Sequence, residues 1–464
     1  MKIGFIGGGS VQWTPMLVAD LAMNRALAGA ELVLHDIDAD ALALMARAGR
    51  RVVEQLDGRM TITTSTERAE ALRDADFVIL CVAIGGLRAM GSDLAISQRH
   101  GIHHTVGDTV GPAGLARGLR HVPFAVQVAR EMEALCPRAW LLNLTNPMTT
   151  ICRGVTRATA IRTVGLCHEV DLFRVNRLAP WFGVPAETIT VEVAGVNHLP
   201  AILGLRLGDQ DGIAALRAWL DRHSPFEFMG DHAPEPHRDV FRDRLAVKLT
   251  LFDQLGVLFG AGDRHLAEFF PSFISDAADR GARYGVLLTT VEHRMANGQA
   301  RRAWAERFVA GERATLQHSA ETLAPVMAAL AGGPSGRFVV NVPNRGQIDN
   351  LPRDAVVECV AEVDALGIRP VAVGALPLPL YAAVAPHLAW QELVVEAALT
   401  GRRAAARAAM AVDPMVGDPA IVDPLLDELL AANAPFVHAT EGGGPAQSAG
   451  QARAASHPTA SGRA

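Results

Sequence analysis

The chain has 464 residues, 50% hydrophobic and 20% charged, and its 43 basic and 49 acidic side chains give a formal net charge of −6. That length supplies one large or two ordinary domains with ample core, which excludes a small stapled scaffold, and the charge balance is too mild for a dedicated nucleic-acid surface. Lys2 and Lys248 are the only lysines and neither follows a glycine-rich loop, so the lysine-dependent phosphate loop of nucleotide hydrolases is excluded and Lys248 is the one internal Schiff-base candidate.

In chain order, the first 166 residues alternate short apolar or β-branched runs with longer helical patterns. The runs Lys2 to Ile6, Glu31 to Asp36, Met60 to Thr64, Phe77 to Val82, Ala139 to Leu144 and Thr163 to Leu166 read as strands. Their rhythm predicts an α/β fold, a doubly wound parallel sheet of Rossmann type over 1–166. Thr14-Pro15 reads as a helix N-cap followed by proline at the first helical position, with an apolar face from Met16 to Leu27. After Cys167 the rhythm changes to a strand from Thr188 to Ala194, helical patterns around Val240 to Leu258, Thr290 to Gly311 and Thr315 to Leu330, and a strand from Arg337 to Val342. Asp354 to Ala365, Trp390 to Leu399 and Pro424 to Ala432 read as helices, so 167–440 is expected to be a mixed α+β domain. From 441 to 464 the chain is poor in large apolar residues and rich in Gly, Ser, Ala and Pro, the composition of an unstructured tail.

Cys81, Cys136, Cys152, Cys167 and Cys359 are an odd number at wide spacing, and the chain enters a strand at Lys2 without a signal-like segment. Both features point to a reducing, cytoplasmic compartment. The longest uncharged apolar stretch, Pro370 to Pro386, holds repeated prolines and a glycine, so no membrane span is expected.

Gly7-Gly8-Gly9-Ser10 directly follows the first strand and precedes the helix near Thr14. Glycines there let backbone N–H groups approach a pyrophosphate, and the helix N-terminus favours its charge. Asp36 ends the second strand, where a carboxylate accepts hydrogen bonds from ribose hydroxyls and repels a 2′-phosphate, which predicts NAD over NADP. Gln12 stands where the third glycine of G-x-G-x-x-G would be.

Gly165-Leu166-Cys167-His168-Glu169-Val170 and Gly195-Val196-Asn197-His198 each follow a strand, at the edge where open α/β sheets bind ligands. A thiolate and an imidazole there fit a catalytic divalent metal with open positions for substrate hydroxyls; ligand softness alone favours Zn²⁺. Asp108 and Thr109, within Gly107 to Gly118, and Asn146-Pro147 after the fifth strand lie on loops of the same edge. Gly262-Asp263-Arg264-His265 crowds titratable side chains before Glu268-Phe269-Phe270-Pro271.

Taken together these blocks resemble the NAD- and metal-dependent glycosidases of glycoside hydrolase family 4 over about residues 1 to 435. The resemblance is carried by GGGS at 7–10, GDTVGPAGLARGLR at 107–120, TNPM at 145–148, GLCHEV at 165–170, GVNH at 195–198 and GDRHLAEFFP at 262–271. It implies a lactate/malate dehydrogenase-like architecture and a homodimer or homotetramer. It also implies a chemistry outside the paired-carboxylate scheme: NAD⁺ oxidises C3 of the sugar, C2 loses its acidified proton, the C1 group is eliminated, water adds and the hydride returns.

By the same resemblance Cys167 and His198 hold the metal, Mn²⁺ or another divalent ion, Asp263 is the C2 base and His168 assists the leaving group. Asn146 and Asp108 lie at the sugar, while Gly7, Gly9, Ser10 and Asp36 hold the nucleotide. The CHEV block is similar to members acting on α-linked uronic acids, with α-galacturonides favoured over α-glucuronides, and Arg264 is the candidate for the uronate carboxylate. Met90 stands where phospho-sugar branches commonly carry arginine. The competing expectations are α-galactosidase or α-glucosidase activity, a 2-hydroxy acid dehydrogenase that accumulates NADH, and a catalytically silent dinucleotide sensor.

Overall fold

A computed structural model describes residues 1–229, 242–288 and 290–436. Its first half holds β1 (Lys2–Ile6), β2 (Glu31–His35), β3 (Thr61–Ser65), β4 (Phe77–Leu80), β5 (Trp140–Asn143) and β6 (Arg162–Gly165). They lie side by side, all parallel, in the order β3-β2-β1-β4-β5-β6, the dinucleotide-binding arrangement. Ile3, Phe5, Val78, Ile79 and Leu80 are almost wholly buried. Helices cover both faces of such a sheet, and that is why its central strands read as unbroken apolar runs.

The sheet continues without a break through β7 (Ile189–Val196), β8 (Leu199–Leu207), β9 (Gln210–Asp211), β10 (Leu258–Phe259), β11 (Gly336–Pro343), β12 (Val356–Asp364) and β13 (Gly367–Pro370). The junction is a single antiparallel pair, Asn341 of β11 opposite Gly165 of β6. Beyond it β11, β12, β7, β8 and β10 follow as antiparallel neighbours. The boundary expected at 166/167 thus falls just past the end of β6. The Rossmann sheet and the mixed α+β second half are both present.

Three expected elements are corrected. Asp354 to Ala365 is not a helix but contains β12, paired on both sides. Its valines at 356, 357, 360 and 363 are β-branched, and a run buried on both faces carries no period that separates strand from helix. Thr315 to Leu330 is helical only over Leu323–Leu330, because Ser319 leaves the helix to bond Asp20 through its backbone N–H (2.8 Å) and its hydroxyl. Thr14 is not the N-cap. It opens the helix Thr14–Met23 and its hydroxyl donates to the Gly8 carbonyl at 2.9 Å, tying helix to glycine turn.

Within the pattern around Val240 to Leu258 the helix is Ala246–Leu255, and residues 240 and 241 lie outside the described residues. The segment 441–464 also lies outside them. All five cysteines are buried and free. Among the described residues no helix is long and apolar enough to cross a membrane.

Candidate active site

The strand ends place the motifs along one edge. At β1 the chain turns through Gly7, whose φ is +96°; a Cβ there would lie 1.9 Å from the Cys81 carbonyl oxygen, so only glycine fits. The Gly7 and Gly8 amides donate to the His35 carbonyl at 2.9 and 2.8 Å, and the Gly9 amide donates to Asp36 Oδ2 at 3.0 Å. The Asp36 carboxylate therefore already braces the turn. Ser10 Oγ accepts from the Trp13 amide at 3.2 Å.

His198 lies in the tight turn between β7 and β8, at φ +66°. Its ring stacks on His265 with centroids 3.6 Å apart, and possible ligand atoms of Asp108, His198 and His265 all lie within 4.8 Å of one another. Thr109 Oγ1 is 2.7 Å from both Asp108 Oδ1 and His198 Nδ1. The hydroxyl has one proton and gives it to the carboxylate, so His198 Nδ1 must be the donor to the hydroxyl oxygen, which leaves Nε2 with its lone pair free to bind a cation.

Burial and the neighbouring His265 hold His198 down to about 3, a neutral ring. Burial alone would raise the Asp108 carboxyl, but His198, His265 and Arg117 outweigh it and keep the group ionised. His265 Nδ1 is buried and has no partner. Two imidazoles and a carboxylate are a donor set for a divalent ion.

A cavity of about 440 Å³, within the range of small-ligand sites, is lined by His168, Glu169, Asp263, Arg264 and His265. Asp263 opens the helix Asp263–Phe269, and its two oxygens accept the Val247 and Lys248 amides at 3.1 and 3.0 Å, capping the helix Ala246–Leu255. Burial, then the Asp243 charge, pushes its carboxyl up to about 8. His168 Nδ1 pairs with Glu321, and its ring lies 6.3 Å from that of Trp13 in the nucleotide turn. Burial lowers His168, but the hydrogen bond and charge of Glu321 prevail and raise it to about 9, an imidazolium near neutral pH.

Glu169 links the blocks. Its Oε2 accepts the Gly262 amide at 2.7 Å, and its Oε1 lies 3.9 Å from His168 and 3.8 Å from His265. Asn146 donates to Asp108 Oδ2 at 3.4 Å and has a buried Oδ1 without a partner, an acceptor left for a ligand hydroxyl. Arg264 Nη2 donates to the Thr105 carbonyl at 2.6 Å.

The structure thus gathers Asp108, Asn146 and His198 in one group and His168, Asp263 and Arg264 around the adjoining cavity. Cys167, just past the end of β6, belongs to a small buried cluster. It packs with Met148, Cys152 and Val356, and burial, followed by the charges of Glu358 and Glu169, pushes its thiol well above the ordinary value. His265, Glu169, Glu321 and Arg117 are additions to the residues singled out from the sequence. His265 and Glu169 lie inside quoted blocks, whereas nothing in the spacing pairs Glu321 with His168.

A Rossmann sheet with a nucleotide turn, opening onto a polar cavity at its strand ends, defines a dinucleotide-binding enzyme class. Residues 2–175 match the family 4 glycosyl hydrolases and residues 193–416 match the family 4 glycosyl hydrolase C-terminal domain, so the chain belongs to glycosyl hydrolase family 4. An alpha-galacturonidase of Thermoanaerobacterium saccharolyticum is 34% identical over 429 residues, covering 90% of this chain and 92% of that protein. The crystal structure of LplD from Bacillus subtilis superposes with a TM-score of 0.85 at 31% identity, covering 93% of this chain and 99% of LplD. A 6-phospho-alpha-glucosidase from gut microorganisms, solved with NAD and Mn²⁺, has the same fold, with a TM-score of 0.80 at 21% identity over 94% of this chain and 98% of that one.

Proposed function

We propose that the protein is a cytoplasmic α-galacturonidase that hydrolyses small α-linked galacturonides with NAD⁺ and a divalent metal such as Mn²⁺. The observation that carries this reading is a cavity lined by two titratable groups, His168 and Asp263, with His168 lying beside Trp13 of the nucleotide turn and the lining residue His265 belonging to the histidine–carboxylate cluster. Similarity to alpha-galacturonidases across nine-tenths of the chain supports the sugar, and five free buried cysteines support the compartment.

Gly7, Gly9, Ser10 and Asp36 would hold the dinucleotide, and the tight turn braced by Asp36 fits it. His198 would hold the metal with Cys167, and Asp108 and His265 offer further donors; the unpartnered His265 Nδ1 and the neutral His198 ring fit a cation. When bound, the dinucleotide supplies a reversible hydride acceptor and the ion a Lewis acid, so that hydrolysis proceeds without net redox change.

The chain's own groups do the remaining work. Asp263 accepts the proton from sugar C2, and its raised pKa makes its ionised form a stronger base than a surface aspartate. His168, held protonated by Glu321, donates to the departing glycosidic oxygen. Asn146 Oδ1 accepts a sugar hydroxyl, Asp108 orders Asn146, and Arg264 lies at the cavity wall to receive a carboxylate.

The test is release of p-nitrophenol from α-galacturonide, α-glucuronide, α-galactoside and α-glucoside by metal-stripped protein, with and without NAD⁺, Mn²⁺ and a thiol reductant. Cleavage of the galacturonide that needs NAD⁺ and Mn²⁺ together is expected. Cleavage independent of NAD⁺, accumulation of stoichiometric NADH, or no cleavage of any glycoside overturns the reading.

A further inference from the structure

We infer that Glu268 is a positioning residue for the metal cluster: from the helix that carries His265 it holds in place the loop that delivers Asp108. The inference deepens the proposed function and rests on its reading of Asp108, His198 and His265 as metal donors. Asp108 follows a stretch, residues 104–107, that is buried and belongs to no helix or strand. Buried peptide groups without a regular ladder must find partners elsewhere, and the helix Asp263–Phe269 supplies several. Glu268 Oε1 accepts the Val106 and Gly107 amides, both at 2.8 Å, and lies 3.2 Å from His104 Nδ1. Arg264 adds two bonds from the same helix: its Nη2 donates to the Thr105 carbonyl at 2.6 Å, and its own carbonyl accepts the Thr105 hydroxyl. The loop before Asp108 is therefore laced to the helix on which His265 lies one turn before Glu268.

Glu268 is 1% exposed and is no part of the lining of the cavity of about 440 Å³, so its effect on an ion passes through the loop. Burial alone would raise its carboxyl, but the bonds from His104 and the Val106 amide outweigh it and keep the group ionised. An anion that takes two consecutive amides on one oxygen fixes that peptide unit more firmly than a neutral acceptor does, and the Gly107 amide is one residue from Asp108. The turn has no slack on its other side: Gly107 stands at φ +71°, and a Cβ there would lie 2.4 Å from Leu94 Cδ2. Without Glu268 the two buried amides lose their acceptor, and the loop must shift to satisfy them. Metal–ligand distances hold to about 0.2 Å, so even a small shift takes Asp108 out of range of an ion shared with His198 and His265.

The test is Mn²⁺ titration of the full-length, metal-free protein followed by electron paramagnetic resonance, with NAD⁺ affinity read separately from tryptophan fluorescence. Glu268→Ala is expected to weaken Mn²⁺ by about 10- to 100-fold and to leave the NAD⁺ Kd within about twofold of the wild type. Glu268→Gln keeps an oxygen for both amides and places its NH₂ where Oε2 has no partner, so its Mn²⁺ Kd should stay within about threefold. Asp108→Ala should weaken Mn²⁺ by a factor similar to that of Glu268→Ala, and combining the two should cost less than about a further twofold, because both act through one position. Glu268→Asp keeps the charge but falls one methylene short of the amides; about a fivefold loss is expected, and it carries the test should the alanine variant not fold. An alanine variant, or the aspartate variant in its place, within about twofold of the wild type for Mn²⁺ overturns the inference. So does a glutamine variant as weak as alanine, additive losses with Asp108→Ala, or NAD⁺ affinity lost in step with Mn²⁺. A wild type that binds no Mn²⁺ removes the metal cluster itself, and this is seen before any variant is made.

Discussion

Asp36→Ala is the most direct probe of the nucleotide turn, because the carboxylate has two jobs at one place. Its Oδ2 accepts the Gly9 amide at 3.0 Å and its Oδ1 the Asp38 amide at 3.1 Å, yet an ionised carboxylate has about four acceptor sites, so ribose hydroxyls can still be bound. Hydrogen bonds to a charged group contribute about 1.5–3 kcal/mol each, and the partial exposure of Asp36 places these near the lower end. Losing the brace on Gly9 together with a ribose contact should weaken NAD⁺ by about 2–3 kcal/mol, or about 30- to 150-fold in Kd. Removing the negative charge also removes its repulsion of a 2′-phosphate, about 1–4 kcal/mol at contact distance, so the preference for NAD⁺ over NADP⁺ should shrink by about tenfold or more. Titration of tryptophan fluorescence reports both affinities, since Trp13 belongs to the turn. An NAD⁺ Kd within about twofold of the wild type, with the melting temperature unchanged, would refute the placement of Asp36 at the ribose.

Two further outcomes are expected. His387 is buried against Phe269, with ring centroids 4.7 Å apart, and burial holds it down to about 4 from its ordinary 6.5. The folded chain therefore binds fewer protons than the unfolded one between those values, so stability is intact above 6.5 and falls by about 3 kcal/mol as the pH drops to 4. In His387→Gln the difference between urea unfolding free energies at pH 7 and pH 4 should shrink by that amount; an unaltered difference would show that other groups set the acid limit. At the metal, Mn²⁺ titration of the metal-free protein followed by electron paramagnetic resonance should show no binding for His198→Ala and weakening by more than about tenfold for Cys167→Ser and His265→Ala. A variant that leaves the Mn²⁺ Kd untouched removes its residue from the coordination set.

The parallel half was legible because its physics is local. Strands buried on both faces must be apolar throughout, and the turns between them need glycine or a capping polar residue, so Lys2–Ile6 followed by three glycines announces itself. The same holds for four of the site residues: Asp36, Asn146, His168 and His198 follow the ends of strands, whereas Asp108 lies on a loop between two helices. His265 and Glu169 sat in the quoted blocks, but their partnership with His198 and His168 is a fact of packing. Glu321 belongs to a stretch with no motif, and it acquires meaning only from His168 opposite it in space.

One misread element had the largest cost for the site. β12 lies between β7 and β11, with Glu358 opposite both Gly195 and Asn341. From there Glu358 Oε2 accepts Asn197 Nδ2 at 3.0 Å and Asn341 Nδ2 at 2.9 Å, and the Asn197 amide is held by Thr149 at 3.2 Å. A wholly buried carboxylate thus anchors the residue before His198 to the strand that joins the two halves of the sheet. Burial pushes Glu358 up to about 7, so the anchor stands on its two amide donors and its fixed place in the ladder more than on charge. Read as a helix, the same sequence loses the ladder position that puts Glu358 opposite both strands, and the support beneath the His198 turn disappears with it. The strand was hidden for the reason that makes it useful: a segment buried on both faces has no polar side to set a period, and only such a segment can place a carboxylate between two strands.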